Sequence, residues 1–350
     1  MKTGAGHKGR LCGNWPQHEP PLPTYPVTPP SLVVLAAGLS TRYGSLKQLD
    51  PLGPHGQAIM DYNVYDALQA GFRSVTYVVR PEILDDVVRH VEAVFGDALA
   101  ARFVCQRLDA LPDGLRAPPD RRKPWGTAQA VVIASEEITG PMGVCNADDL
   151  YGPGAFALLG DYLRREPVPS DGVLVGYPLL ETLSGAGGVA RAICHVGREG
   201  HLEHVVEVRD IRRRGAWIVG IEGDGTPVEL SGDELVSMNL WGFTPAIVAR
   251  LRRRFARYLG VWGADADREF YLSTAINEAI QSDGARVRVL HALDPWLGLT
   301  HAEDQEPTRM LLAERIAAGV YPDRPAEGLA RRGGARPVAD RRPGPRRRPA

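Results

Sequence analysis

Residues 32–53 read LVVLAAGLSTRYGSLKQLDPLG, and this stretch decides the fold class. Its four leading apolar residues run directly into Ala-Ala-Gly, a pattern typical of a buried parallel strand that ends in a loop. The small residues leave room for backbone N–H groups to approach phosphate oxygens. Arg42 and Lys47 add two cations, of which one can make a forked contact with phosphate and the other supplies a point charge. The loop over residues 36–42 is therefore predicted to bind a triphosphate.

This loop lacks the sequences of two other phosphate-binding motifs. A dinucleotide site would show G-x-G-x-x-G after the strand and an acid about 20 residues later, and neither occurs here. The Walker pattern G-x-x-x-x-G-K-[ST] is also missing. Because glycine is common in ordinary turns, the loop alone is a weak signal, and a plain strand-to-helix connection explains such a sequence more often.

Strand and helix patterns alternate after the loop. Helical spacing over residues 59–70 stops at Gly71, and the β-branched run 74–79 predicts a second strand. The next elements are predicted as helix, strand, helix and strand at 82–95, 102–106, 128–135 and 142–146. Such alternation predicts an α/β fold, a parallel sheet covered by helices on both faces.

The second half of the chain is less regular, with strands predicted at 172–177, 188–194 and 235–243 and helices at 245–259, 271–281 and 302–318. The two ends differ from the centre. Residues 31–323 are expected to form one domain, with a nucleotide-binding half at 31–150 and an acceptor-binding half at 151–323. The Pro/Gly-rich residues 1–30 are expected to be a flexible leader without a signal sequence. Residues 324–350 hold nine arginines and two acids, a composition that predicts a disordered tail.

Composition narrows the functional class. The chain is 44% hydrophobic and 24% charged, which is typical of a soluble globular protein. No apolar run approaches the length of roughly 20 residues that a membrane helix needs, so we expect no membrane contact and a cytoplasmic location. Outside the arginine-rich tail the chain holds 32 basic and 40 acidic residues, a balance that disfavours nucleic-acid binding. The oligomeric state is not indicated by the sequence.

A second polar cluster follows the apolar strand predicted at 142–146. An acid at the carboxyl end of a parallel strand lies at the crevice where α/β sheets bind ligands. Carboxylate oxygens there suit Mg²⁺, which is commonly held by one or two carboxylates together with substrate phosphates. We therefore predict that Asp148 holds Mg²⁺, whereas Asp149 is better explained as a cap of the following turn.

Taken in order, these features resemble the sugar-nucleotidyltransferase superfamily. The first stretch is similar to its signature of an apolar strand, A-[AG]-G-x-[GS]-[ST]-R and a lysine a few residues later. The likeness continues through KPWGTAQA (123–130), NADDLYG (146–152), SMNLWGFTP (237–245), EFYLSTAINEAI (269–280) and WLGLTHAED (296–304). It thus extends over most of the chain. The relatives indicated are bacterial nucleotidyltransferases similar to nucleoside-diphosphate-sugar pyrophosphorylases.

The resemblance implies a fold and a set of catalytic residues. The fold would be a three-layer Rossmann-like sandwich with a mixed, mostly parallel central sheet, of the nucleotide-diphospho-sugar transferase type. Arg42 would neutralise the departing pyrophosphate, Lys47 would stabilise charge at the α-phosphate, and Asp148 would hold Mg²⁺.

Binding residues follow from the same resemblance. Backbone amides of the loop would cradle the triphosphate, and the turn at 126–127 with Gln106 would contact the nucleobase. The nucleotide-binding set is Ala36, Ala37, Gly38, Ser40, Thr41, Gln106, Gly126 and Thr127. Gly188 and Glu207 would contact the acceptor, and Asn239 is placed to reach the same pocket from its predicted strand.

Two positions depart from the family pattern. Ala275 stands where many pyrophosphorylases have a second metal-binding aspartate. Glu269 is the candidate substitute; otherwise Asp148 and the phosphates alone would hold the metal. The segment between Gln106 and Trp125 is longer than in compact members, which leaves base recognition undefined.

Residues and resemblance together predict an Mg²⁺-dependent nucleotidyltransferase. It would transfer NMP from a nucleoside triphosphate to a small phosphorylated acceptor, a sugar-1-phosphate in first place, and release pyrophosphate. One alternative is a cytidylyltransferase or cofactor nucleotidyltransferase that acts on a non-sugar phosphate or phosphonate. The other is a catalytically silent, nucleotide-sensing subunit, which Ala275 favours and the intact Arg42, Lys47 and Asp148 disfavour.

Overall fold

Thirteen strands and eight helices lie in the part of the chain that a computed structural model describes. That part comprises residues 28–38, 46–112, 114–165, 168, 170–184, 187–215, 217–299 and 304–330. The strands are β1 (Ser31–Leu35), β2 (Ser74–Val79), β3 (Ala101–Cys105), β4 (Met142–Asn146), β5 (Asp149–Leu150), β6 (Gly172–Pro178), β7 (Val189–Val196), β8 (Leu202–Arg214), β9 (Trp217–Glu222), β10 (Pro227–Leu230), β11 (Leu235–Phe243), β12 (Val287–His291) and β13 (Leu297–Gly298). The helices are α1 (Ile59–Gln69), α2 (Leu84–Phe95), α3 (Thr127–Ala134), α4 (Pro153–Leu163), α5 (Pro245–Trp262), α6 (Leu272–Asp283), α7 (Gln305–Ala317) and α8 (Pro325–Ala330).

The central sheet runs in the order β3-β2-β1-β4-β11-β6-β12. Neighbouring strands are parallel from β3 to β4 and again between β6 and β12, while β11 runs antiparallel to both of its neighbours. All four strands of the first parallel group therefore end at one edge, where the loops after β1 and β4 meet. This edge positions the site described below.

Helices cover both faces of the sheet, because side chains alternate between the faces along each strand. In β1, Leu32 and Val34 pack in the core formed with α1, α2 and α4, and Val33 packs in the core formed with α3, α5 and α6. All three side chains are fully buried, as expected of a strand covered on both sides. The result is a three-layer sandwich.

An antiparallel extension leaves the central sheet at β11. Strands β7, β8, β9 and β10 follow one another in this extension, each paired with the next. The first of them, β7, also pairs with the start of β11, at Val236 and Ser237. The extension thus leaves the central sheet at the start of β11, whereas β4 pairs with the end of β11.

The last described residues pack against the start of the domain. Tyr321 donates a hydrogen bond from its hydroxyl to Asp66 of α1 at 2.9 Å, and Gln57 donates to the carbonyl of Asp323 at 2.8 Å. Residues 325–330 form α8, with Pro325 buried. The prediction of a structureless tail from residue 324 is therefore wrong for this segment, because its apolar and proline residues pack against α1.

None of the helices in the described ranges is long and apolar enough to cross a membrane.

Candidate active site

The site lies at a fork in the sheet, where β4 and β7 pair with different parts of the same edge of β11. One edge of β11 pairs with β6 at Leu235–Ser237 and again at Trp241–Phe243. The other edge pairs with β7 before the register shift and with β4 from Trp241 on. The register shifts between Ser237 and Trp241, and Asn239 within this bulge has a positive φ of 61°. Bulges redirect side chains and end strand pairing, and a non-glycine residue with positive φ costs energy that functional sites often retain.

The gap between β4 and β7 forms a cavity of about 330 Å³. Its walls come from the residues after β4, from β7, β8 and the bulge of β11, and from the N-terminal ends of α3 and α6. Four residues assigned from the sequence to the nucleotide, the metal or the acceptor line it together: Thr127, Asp148, Glu207 and Asn239. The fold therefore brings together positions that lie far apart in the chain.

Lys47 forms an ion pair with Asp148, which lines this cavity. The ammonium of Lys47 donates to the Asp148 carboxylate at 2.9 Å. Lys47 begins a single 3₁₀ turn directly after the loop that follows β1, and Asp148 follows β4. Their side chains are 16% and 40% exposed, so water screens the pair and its contribution to stability is small. The pair brings together the two residues that the sequence analysis assigns to the α-phosphate and the metal.

The carboxylate of Asp149 is buried beside this pair. It accepts hydrogen bonds from the Asn146 amide at 2.8 Å and the Tyr151 hydroxyl at 3.3 Å. The interpretation of Asp149 as a cap is therefore wrong, since its partners are side chains. Burial and, second, the neighbouring charge of Asp148 raise the pKa of Asp149 to about 7, against the opposing effects of Asn146, Arg191 and Lys47.

The residues present fit a magnesium ion shared with a triphosphate. In the described ranges no three His, Cys, Asp or Glu side chains converge as a self-contained metal site. Asp148 and Asp149 instead offer adjacent carboxylates, and Mg²⁺ commonly binds one or two carboxylates while phosphates and water complete its coordination. Glu269 is half-buried and interacts with Lys123, Arg121 and Tyr271, so its role as a ligand stays a prediction. Ala275 is fully buried in the core.

The end of β1 is tightly packed up to Gly38. Ala36 and Ala37 are buried, and the N–H of Ala36 donates to the carbonyl of Val78 at 2.9 Å. This amide is therefore not available to a phosphate. Gly38 is exposed, and among the described residues other than its chain neighbours no atom lies within 4 Å of the position its Cβ would take. Three other predicted residues, Ser40, Thr41 and Arg42, lie outside the described residues.

The Gly126–Thr127 turn is joined to the start of α6. Gly126 has a φ of 104°, and a Cβ there would lie 2.5 Å from the carbonyl oxygen of Phe270. The Phe270 N–H donates to Trp125 at 2.7 Å, and the Thr127 hydroxyl accepts from the N–H of Leu272 at 2.9 Å. These contacts hold the N-terminal ends of α3 and α6 together, and such ends favour negative charge.

The remaining predicted residues lie apart from the cavity. The Gln106 amide donates to the Gly126 carbonyl at 3.0 Å and to Gln129 at 2.8 Å. Gln106 also borders a second cavity, of about 600 Å³, beside the carboxyl ends of β2 and β3. Gly188 does not line the cavity beside Asp148, and a Cβ at this position would overlap the Asp210 carboxylate. The acceptor contact of Gly188 stays a prediction.

Sequence reasoning missed several residues that line the cavity. They are Asn146, Asp149, Arg191, Ser237, Tyr271, Ser273 and Trp296, apart from small or apolar neighbours. All of them except Arg191 fall within the blocks that carry the family resemblance. The polar positions of those blocks were therefore the available signal. Asp149 is predicted from the sequence as a cap, not as part of the cavity. Arg191 stands in no motif.

Arg121 joins the long segment after β3 to the residues that precede α6. Its guanidinium is buried and donates to the carbonyls of Asp265 at 3.0 Å, Pro124 at 2.7 Å and Arg268 at 3.0 Å. It also lies 3.7 Å from the ring centre of Trp125. Arg121 therefore connects the chain before the Gly126 turn with the chain before α6.

We expect Arg121→Met to destabilise the protein by about 2–3 kcal/mol, because several carbonyls lose a charged hydrogen-bond donor. Removal of the buried charge offsets part of this loss. Urea unfolding followed by circular dichroism measures this change. Arg122→Met is the matched control, since Arg122 is exposed and contacts only neighbouring carbonyls. Equal stability of the two variants would contradict the role given to Arg121.

Comparison with known proteins shows the fold. No protein-family model matches the chain, and no curated protein matches it in sequence. Among solved structures, it is similar to the inositol-1-phosphate CTP transferase from T. maritima, with a TM-score of 0.54 and 14% identity, over 82% of this chain and 96% of that chain. The predicted α/β fold with a mixed, mostly parallel central sheet is thereby confirmed.

Proposed function

We propose that the protein transfers a nucleotidyl group from a nucleoside triphosphate to a small phosphorylated acceptor and releases pyrophosphate. The observation that carries this proposal is the Lys47–Asp148 pair at a cavity where Thr127, Glu207 and Asn239 also converge. A cation and a metal-binding carboxylate at the end of parallel strands suit phosphate chemistry.

The arrangement of the strands supports a direction for the nucleotide. The second cavity, with Gln106, lies at the ends of β2 and β3, and the first lies beyond β4. Strand β1 stands between β2 and β4 in the sheet order. In this proposal the base occupies the second cavity, the phosphates cross the loop with Arg42, and the acceptor enters the first cavity.

The chemistry requires positioning and charge stabilisation more than proton transfer. An acceptor phosphate oxygen attacks the α-phosphorus and pyrophosphate leaves; because the acceptor is ionised at neutral pH, no general base is needed. Lys47 would stabilise the charge that develops in this transfer. Mg²⁺, held by Asp148 with Asp149 beside it, would supply electrostatic stabilisation of the phosphates.

Polar groups of the first cavity favour a polyhydroxylated acceptor. The carboxylate of Glu207, the amide of Asn239 and the hydroxyls of Ser237, Tyr271 and Ser273 all line it. Carboxylates and amides accept or donate the hydrogen bonds that sugar hydroxyls need. A sugar-1-phosphate is our first choice. The T. maritima neighbour acts, by its name, on inositol-1-phosphate with CTP, so a cyclitol phosphate is the second.

A substrate panel tests the proposal. Purified protein is incubated with each of ATP, CTP, GTP and UTP and with glucose-1-phosphate, inositol-1-phosphate or a phosphonate, and pyrophosphate release is measured. We expect release with at least one pair in the presence of Mg²⁺ and none after chelation with EDTA. Nucleotide binding without release for any pair would contradict the proposal and favour a silent, nucleotide-sensing subunit.

A further inference from the structure

Arg191 is a buried cation in the wall of the first cavity. The residue is 8% exposed and lines the cavity from β7. Its Nε donates to the Thr182 hydroxyl at 3.1 Å, its Nη1 to the Ala190 carbonyl at 2.8 Å, and its Nη2 to the Thr182 carbonyl. These bonds hold the guanidinium in one place. Each Nη carries two N–H groups, so the bonds found in the described ranges leave a second N–H on both nitrogens.

Trp296 adds another donor beside this guanidinium. Arg191 lies over the indole ring at 5.0 Å from its centre, and Trp296 also lines the cavity. The indole Nε1–H is buried and, within the described part of the chain, has no hydrogen-bond partner. Buried donors without a partner are rare, because such a donor gives up its hydrogen bonds to water without replacing them. Because Arg and Trp side chains donate only, this part of the wall is suited to an oxygen-rich, negatively charged group.

The other charged residues that line the cavity in the described ranges are acidic and would repel an anion. Asp148, Asp149 and Glu207 line it as carboxylates, whereas Arg191 is the one basic residue among its lining side chains in the described ranges. Burial lowers the pKa of Arg191 to about 10, with the charges of Asp149 and Asp304 opposing that shift, so the guanidinium stays protonated at neutral pH. Since Lys47 is paired with Asp148, Arg191 is the lining cation in the described ranges that can offset Asp149 and Glu207 toward an anionic acceptor.

We propose that Arg191 binds the phosphate group of the acceptor, through the second N–H groups of Nη1 and Nη2, with the Trp296 indole N–H as an additional donor. Two parallel N–H groups match the spacing of phosphate oxygens. The assignment of this anion to the acceptor rests on the proposed function, whereas the anion site itself does not. The competing role is structural: Arg191 would only tie the turn at Thr182 to β7 and balance Asp149.

Two measurements separate these roles. Inorganic phosphate is titrated calorimetrically, with Mg²⁺ present, into the wild type and into Arg191→Met, Arg191→Lys and Thr182→Val. We expect Arg191→Met to weaken phosphate binding by about 10–100-fold, the loss typical of a charged hydrogen-bonding group. Arg191→Lys should give an intermediate loss because it keeps the charge and loses the fork. Thr182→Val, which removes only the hydroxyl anchor, should stay within about threefold.

Steady-state kinetics provide the second measurement, on the substrate pair found in the panel. The KM for the acceptor should rise by about 10–100-fold in Arg191→Met, while the KM for the nucleoside triphosphate changes by less than about threefold. A structural role would move both KM values together or give Thr182→Val the same loss as Arg191→Met. Either result overturns the proposal, as does phosphate binding that is unchanged in Arg191→Met and Arg191→Lys or undetectable in the wild type.

The two proposals fail separately. If no substrate pair releases pyrophosphate but Arg191→Met loses phosphate binding, the nucleotidyltransferase proposal fails and the anion site stands. If pyrophosphate is released but phosphate binding does not depend on Arg191, the anion site fails alone. Should Arg191→Met not fold by circular dichroism, Arg191→Lys decides the question.

Discussion

The Asp148→Asn variant is expected to lose about 10²–10³-fold in the rate of pyrophosphate release while keeping its fold, a loss typical of a removed transition-state contact. Asparagine has nearly the same shape as aspartate but no charge, so it cannot hold Mg²⁺ against the phosphates as a carboxylate does. Lys47→Met is expected to give a similar loss, because the charge near the α-phosphate disappears. Initial rates at saturating substrate measure both effects.

Stability should change little in these variants. Asp148 is 40% exposed, and water partly screens its ion pair with Lys47. A loss of about 1 kcal/mol or less is therefore expected in urea unfolding. Asp86→Asn is the matched control, because Asp86 is also an exposed partner in an ion pair, with Arg89 on α2, outside the cavity. If Asp148→Asn retains activity close to that of Asp86→Asn, the metal role of Asp148 is wrong.

Gly126→Ala is expected to lose most activity and about 4 kcal/mol of stability. The backbone here has φ 104° and ψ 174°. Such a conformation costs non-glycine residues about 1–3 kcal/mol. In addition, the new Cβ would lie 2.5 Å from the Phe270 carbonyl oxygen, a backbone atom that cannot swing aside. Crowding of this kind adds a cost of about 1–3 kcal/mol. The displaced turn would move Thr127 away from the N–H of Leu272 at the cavity wall.

Gly284→Ala separates conformational strain from crowding. Gly284 also has a positive φ, of 64°, but no atom lies within 4 Å of its missing Cβ. It should lose only about 1–2 kcal/mol and keep its activity. Urea unfolding and initial rates are compared for both variants. Equal losses would show that crowding against Phe270 does not constrain the Gly126 turn.

Much of the central sheet could be predicted from the sequence. The apolar and β-branched runs at 74–79, 142–146 and 235–243 coincide with β2, β4 and β11, because strands buried on both faces have continuous apolar sequences. The antiparallel β8, β9 and β10 were missed. One face of this extension is exposed, so charged residues such as Arg212 and Arg214 interrupt the apolar pattern.

From the residue pattern alone, the site could be predicted only where it depends on strand ends; Thr127, Glu207 and Asn239 followed from the predicted turn, the family resemblance and a predicted strand. Asp148 follows an apolar strand, and that position alone places it at the crevice. The fork depends on which strands pair with each edge of β11, a tertiary property with no local signal. Arg191 was missed for the same reason, since an isolated arginine in a β-strand gives no indication that it will be buried beside Asp149.

The fate of the α-phosphorus tests the central claim most directly. The protein is incubated with Mg²⁺, the acceptor found in the panel and nucleoside triphosphate labelled with ³²P at the α position, and products are separated by chromatography. We predict that the label appears in a product that also contains the acceptor, in equal amount to the pyrophosphate released, and that Asp148→Asn abolishes both. Label that stays in free nucleotide while orthophosphate is released would contradict nucleotidyl transfer at this site.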